Sequence, residues 1–150
     1  MSPPLLDHAG LTCRDLDSSL RFYCELLGMP LLERGEGVGA AAGIPGAKLA
    51  FAFLDAGEGR VLELLEYRDP HTAGTAPRVE AAGATHVALR VADLDGLLER
   101  LATAGFRPLT AEPVTVAGDG ASTGTRLVYV PDPDGRVVEL VQPASGEEAS

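Results

Sequence analysis

The chain repeats itself, and the repeat limits what it can fold into. His8-Ala9-Gly10-Leu11, followed by Arg14-Asp15-Leu16-Asp17, returns as His86-Val87-Ala88-Leu89, followed by Val91-Ala92-Asp93-Leu94-Asp95. Leu27-Gly28-Met29-Pro30-Leu31 returns as Ala104-Gly105-Phe106-Arg107-Pro108-Leu109, and Arg60-Val61-Leu62-Glu63-Leu64-Leu65 as Arg136-Val137-Val138-Glu139-Leu140-Val141. The histidines are offset by 78 positions, the glycines by 77 and the glutamates by 76. Three matches in one order at nearly constant offset point to a duplicated unit, so whatever half the chain folds into is expected twice.

Each half reads β-α-β-β-β. A short apolar run opens each copy (6–13 and 84–92), and Asp15 and Asp93 stand where a helix wants an N-cap. Leu94, Leu97, Leu98 and Leu101 recur at helical spacing, as do Leu16, Leu20, Tyr23 and Leu27. Gly28 and Gly105 fall where a helix end favours a left-handed residue. Three strands complete each copy, at 30–35, 47–55 and 59–67, then at 106–112, 124–131 and 135–142. Asp134-Gly135 reads as a two-residue hairpin turn between the last two strands. The class is therefore α+β: a first βαβββ module over 1–67, a linker over 68–83 carrying Pro70 and Pro77, a second module over 84–143, and an acidic, disordered tail over 144–150, together one structural domain. Glycine-rich loops are expected at 35–46 and 117–123.

Composition narrows the function. A net charge of −10 argues against a nucleic-acid partner, which would require a basic patch. No apolar stretch approaches the ~20 residues that span a bilayer, and no charged-then-apolar leader opens the chain. Cys13 and Cys24 match no metal or redox spacing and read as reduced apolar residues of a cytoplasmic protein.

Strand alternation singles out four residues. Glu139 shares a face with Val137 and Val141; Glu63 shares one with Val61, Leu65 and Tyr67. A carboxylate on an apolar face is costly unless it is paired or metal-bound. His86 shares a face with Ala88, and His8 with Gly10 and Thr12, small neighbours that leave room for a ligand. Because His8/His86 and Glu63/Glu139 occupy repeat-equivalent positions, we expect a divalent metal held by His8, Glu63, His86 and Glu139. Two imidazoles and two carboxylates suit a first-row ion, and a six-coordinate ion would keep positions open for substrate. Taken singly, a strand histidine is more often a core or surface residue than a ligand. Glu66 alternates to the other face and reads as solvated or helix-facing.

The His-x-x-Leu with its following Asp-Leu, the Phe22-Tyr23-x-x-Leu26-Leu27-Gly28-Met29 helix end, and Asp132-Pro133-Asp134-Gly135-x-x-x-Glu139-Leu140 resemble the vicinal oxygen chelate superfamily, also called the glyoxalase, bleomycin-resistance and extradiol-dioxygenase superfamily. The resemblance runs from Asp7 to Gln142. It implies paired βαβββ modules whose eight strands form a U-shaped, incomplete barrel around a metal cleft. It also implies a homodimer, with the metal site either within one chain or shared across the interface. Bacterial glyoxalase I enzymes carry His, Glu, His, Glu, matched here at all four positions. Methylmalonyl-CoA epimerases usually carry Gln where Glu63 stands. The resemblance thus implies a lyase or isomerase that moves a proton through a metal-stabilised enediolate or enolate of a small oxygen-chelating substrate. Glu63 and Glu139 would be both ligands and acid/base groups, and the ion would be Ni, Co, Zn or Mn rather than Fe. Candidate substrate contacts are Tyr67, His71, Tyr129 and Arg126; core packing explains the tyrosines equally, a linker histidine such as His71 is more often simply exposed, and Arg14, Arg34 and Arg126 read rather as solvated surface arginines. Two alternatives share the fold: an antibiotic-binding resistance protein, disfavoured by a complete ligand set and the absence of Trp, and an Fe(II)-dependent dioxygenase.

Overall fold

The computed structural model describes residues 1–71 and 74–144; linker residues 72–73 and the expected tail from 145 onward lie outside the described residues. The chain divides into two compact units, Met1–Gly74 and Thr75–Ser150, with the boundary inside the expected linker.

The first unit contains β1 (His8–Thr12), α1 (Leu16–Leu20, continued by a π-helical segment Arg21–Leu26), β2 (Leu31–Val38), a 3-10 turn (Ala40–Ala42), β3 (Lys48–Asp55) and β4 (Val61–Asp69). The second contains β5 (Val87–Arg90), α2 (Leu94–Thr103), β6 (Val114–Thr115), β7 (Arg126–Pro131) and β8 (Val137–Gln142). Each unit has one open four-stranded sheet, ordered β1-β4-β3-β2 in the first and β5-β8-β7-β6 in the second. The two orders correspond strand for strand. In each, the opening strand pairs parallel to the closing one, and the rest is antiparallel. Among the described residues no helix is long and apolar enough to cross a membrane.

In each unit one face of the sheet is buried. Ala50, Ala52, Leu54, Leu62 and Leu64 are buried in the first, with Leu16, Phe22 and Tyr23 of the helix. In the second, Val128, Val130, Val138 and Leu140 are buried with Leu94, Leu97 and Leu101. Side chains of this kind contribute ~1.5–3 kcal/mol each when fully buried. The helices start as expected: Asp15 Oδ1 accepts from the Ser18 amide at 2.6 Å and Asp93 Oδ1 from the Gly96 amide at 3.0 Å. A second contact reinforces each cap. Glu66 Oε2 on β4 accepts from the Leu16 amide at 3.1 Å, and Gln142 Oε1 on β8 accepts from the Leu94 amide at 2.9 Å. Each closing strand therefore ties down the first turn of its helix, which makes Glu66 helix-facing.

Three local expectations are corrected. Residues 106–112 are not a strand; Pro108 and Pro113 lack the amides a ladder needs, and pairing with β7 begins only at Val114 and Thr115. The glycine-rich stretch from Gly35 is strand as far as Val38. There Gly35 makes room for a ring, since a Cβ would stand 2.7 Å from Phe51 Cζ. The turn before β8 has three residues rather than two. The Asp132 amide donates to the Arg136 carbonyl at 2.7 Å around Pro133, Asp134 and Gly135, with Gly135 at φ 82°, the form of a type I turn followed by a left-handed residue. Buried Asp132 organises it, accepting from the amides of Asp134 and Arg136, both at 2.9 Å.

Candidate metal centre

With one face of each sheet committed to a helix, alternation assigns the odd-numbered residues of β4 and β8 to the other face. Glu63 and Glu139 lie there. Glu63 is flanked in register by Gly10 on β1 and Phe53 on β3. Glu139 is flanked by Ala88 on β5 and Tyr129 on β7. The partner on the parallel side is small in both units; a Cβ on Gly10 would come into ordinary contact with Glu63 Oε2, at 3.4 Å.

Each carboxylate meets the histidine of its own unit. His8 Nε2 lies 3.3 Å from Glu63 Oε2, and His86 Nε2 lies 3.1 Å from Glu139 Oε2. The glutamate side chains are only 17% and 15% exposed, whereas both histidines are 42% exposed, so each pair has a sheltered carboxylate and an accessible imidazole. Ligand atoms at about 2.1 Å from one ion lie about 3.0 Å apart at a right angle and about 3.4 Å apart at a tetrahedral angle; both pairs fall in that interval.

The hydrogen bonding around His8 tests the fit further. Its Nδ1 lies 2.7 Å from Asp7 Oδ2. With Nδ1–H donated to Asp7, neutral His8 turns a bare Nε2 lone pair toward a carboxylate oxygen. Two acceptors so placed require a proton or a metal cation between them. The same arrangement, the Asp7 hydrogen bond foremost and the Glu63 charge assisting against a lowering from burial, pushes the His8 pKa above its ordinary value. The donor set therefore fits a divalent ion. Among the described residues no group of three or more metal-capable side chains gathers, so neither pair is a complete centre within its own unit.

The other expected site residues are distributed unevenly. Tyr129 belongs to the second pair's surroundings, its ring centroid 5.4 Å from that of His86. Tyr67 shares the face of Glu63 but lies four residues along β4, ~13 Å away by strand rise, where its ring crowds Gly39. His71 is exposed just beyond β4, with Nδ1 3.2 Å from the Tyr67 carbonyl oxygen. Arg126 has the same parity as buried Val128 and so lies on the helix side, opposite Glu139. Its guanidinium is held by Asp95 through bonds of 2.7 and 2.9 Å, and the bond from Arg126 draws the Asp95 carboxyl below the usual carboxylate range. Arg34 is likewise bound to Asp17 at 2.7 Å. Sequence reasoning missed Phe53 and Asp7. The repeat carried a signal for Phe53, which lies 76 positions before Tyr129, the same offset as between the glutamates. Asp7 needed only its place beside His8.

Comparison with known proteins agrees with this architecture. The family model of the Glyoxalase/Bleomycin resistance protein/Dioxygenase superfamily matches residues 5–140. A probable lactoylglutathione lyase of Synechocystis sp. is 31% identical over 144 residues, covering 94% of this chain and 97% of that protein. A 2-epi-5-epi-valiolone epimerase of Actinomyces sp. is 33% identical over 147 residues, covering 93% of this chain and 79% of the other. Among solved structures, a glyoxalase family protein from Bacillus cereus superposes with a TM-score of 0.81 at 22% identity, covering 97% of both chains, a likeness of fold. The chain belongs to the glyoxalase/bleomycin resistance/dioxygenase superfamily.

Proposed function

We propose that this superfamily member is a metal-dependent lyase or isomerase that moves a carbon-bound proton of a small oxygen-chelating substrate. The observation that carries the proposal is the twice-repeated pair, His8 with Glu63 at 3.3 Å and His86 with Glu139 at 3.1 Å. The four side chains together would hold one divalent ion, with Ni, Co, Zn or Mn suited to the nitrogen and oxygen donors. When bound, that ion supplies Lewis-acid stabilisation to negative charge developing on two neighbouring substrate oxygens.

The chain's own groups supply the rest. Glu63 and Glu139 are the sheltered carboxylates, each beside the imidazole of its own unit and placed to move a proton. One takes the proton from carbon and the other returns it. Asp7 holds the His8 ring in the orientation that aims Nε2 toward Glu63. Phe53, Leu65 and Val61 beside Glu63, and Tyr129 and Val141 beside Glu139, are half-buried side chains that limit water near the carboxylates. Relatives named lyase and epimerase both fit a reaction in which a proton leaves carbon and returns.

Solvent exchange in deuterium oxide tests this. Protein loaded separately with each of the four ions is mixed with the hemithioacetal of methylglyoxal and glutathione, and with a panel of α-hydroxy carbonyl compounds, and carbon-bound protons are followed by NMR. At least one loaded form should exchange or rearrange a substrate, and Glu139→Gln should lose that activity. No exchange in any loaded form, or exchange unchanged in Glu139→Gln, contradicts the proposal.

A further inference from the structure

The strand β2 forms one edge of the first sheet, and among the described residues only β3 pairs with it. Its pairing shows which of its backbone groups are used. The Gly39 amide donates to the Ala47 carbonyl at 2.9 Å, and the same antiparallel register sets Gly37 beside Leu49 and Gly35 beside Phe51. Bonding alternates along such a pair. Gly35 and Gly37 are therefore bonded to β3, whereas Arg34, Glu36 and Val38 turn their amides and carbonyls away from the sheet. An edge of this kind is a template for another strand. The second unit blunts the equivalent edge: β6 has only two residues, Val114–Thr115, and Pro113 precedes it. The first unit keeps an edge of eight residues, with Leu32 56% and Val38 75% exposed.

The residues of β2 are complementary to their own reversal. Antiparallel pairing centred on Gly35 sets Arg34 of one copy opposite Glu36 of the other, twice, and Leu32 opposite Val38, twice. This register joins even-numbered residues to even-numbered residues, so the outward-turned amides and carbonyls meet. Arg34 and Glu36 lie cross-strand from buried Ala52 and Ala50, so both side chains stand on the helix side and would meet on one face. Within a copy, Arg34 is bound to Asp17 and Glu36 to Arg68. Contact between copies extends these two ion pairs into one row of alternating charge. Sliding the strands by two residues either way puts Arg34 opposite Arg34 or Glu36 opposite Glu36, and like charges directly opposite disfavour pairing. Charge thus selects one register.

We infer that the outer edge of β2 is an interface for a second copy of this chain, paired antiparallel about Gly35. Two four-stranded sheets join there into one of eight. The pairing is two-fold, so it uses the same edge on both copies and closes. The inference rests on the sheet alone and is independent of the metal reading.

Sedimentation velocity on the full chain and two charge variants tests the surface and the register together. Arg34→Glu leaves a carboxylate opposite Glu36 in both pairs, and Glu36→Arg leaves two guanidiniums opposite each other. Each variant alone should self-associate about tenfold more weakly than wild type. In an equimolar mixture the carboxylates of one variant stand opposite the guanidiniums of the other. Association should then return to wild-type strength, with native mass spectrometry showing the mixed pair in excess over either variant paired with itself. Recovery in the mixture also separates lost pairing from a lost fold, since a misfolded chain would not regain it. Association of both variants at wild-type strength, a mixture no tighter than its components, or a wild type that stays monomeric overturns the inference.

Discussion

Glu63 and Glu139 are more sheltered than the histidines they face, and each sits among apolar side chains on its own strand. That combination makes them the residues on which turnover should depend most. Glu139→Gln keeps size and shape and removes the base; it should lower turnover by at least ~100-fold while far-ultraviolet circular dichroism stays that of wild type, and unchanged turnover would contradict the assignment. Asp7 acts one bond further out. Its side chain is almost fully exposed, so Asp7→Asn should weaken metal affinity by about tenfold, the low end for an outer partner of a ligating histidine, as read by competition with a chromogenic chelator. Asp132 has a structural role. Its carboxylate is buried and accepts from two backbone amides and from Arg136 at 3.2 Å. Asp132→Ala should destabilise the second unit by ~2–4 kcal/mol, measured by urea unfolding; a change below about 0.5 kcal/mol would show that the turn holds without it.

At the scale of elements, the two units solve one problem in the same way. Each helix is capped by an aspartate before it and also bonded at its first turn by the closing strand, through Glu66 or Gln142. Gln142→Ala should therefore cost ~1 kcal/mol, read as a lower urea midpoint at unchanged slope. Much of this scale was legible in the sequence, because the caps at Asp15 and Asp93 and the left-handed glycines Gly28 and Gly105 are set by local backbone chemistry. Alternation along β4 and β8 separated Glu63 from Glu66 for the same reason. The strand expected over 106–112 failed because apolar alternation there is interrupted by prolines that cannot join a ladder. The wide π-helical turn at Arg21–Leu26 had no sequence signal; it accompanies burial of two consecutive aromatics, Phe22 and Tyr23, whose rings meet edge to face at 5.1 Å. The histidine–glutamate pairs were legible through the repeat. The commitment of Arg126 to Asp95 was not, since it depends on how a helix lies across its sheet.

For the whole molecule, duplication means that each unit carries the same histidine–glutamate pair, and the proposed centre would draw on both. Each unit would contribute an imidazole and a carboxylate; among the described residues no three metal-capable side chains gather. A homodimer is the expected assembly, to be checked by sedimentation equilibrium. On the proposed function, His8, Glu63, His86 and Glu139 make one centre rather than two separate ion pairs. Elemental analysis of the purified protein by plasma mass spectrometry, beside His8→Ala and His86→Ala, tests it most directly. Close to one nickel, cobalt, zinc or manganese ion per chain is expected, lost in either variant although the two histidines belong to different units. A metal-free protein after incubation with each ion, or full occupancy in both variants, would contradict it.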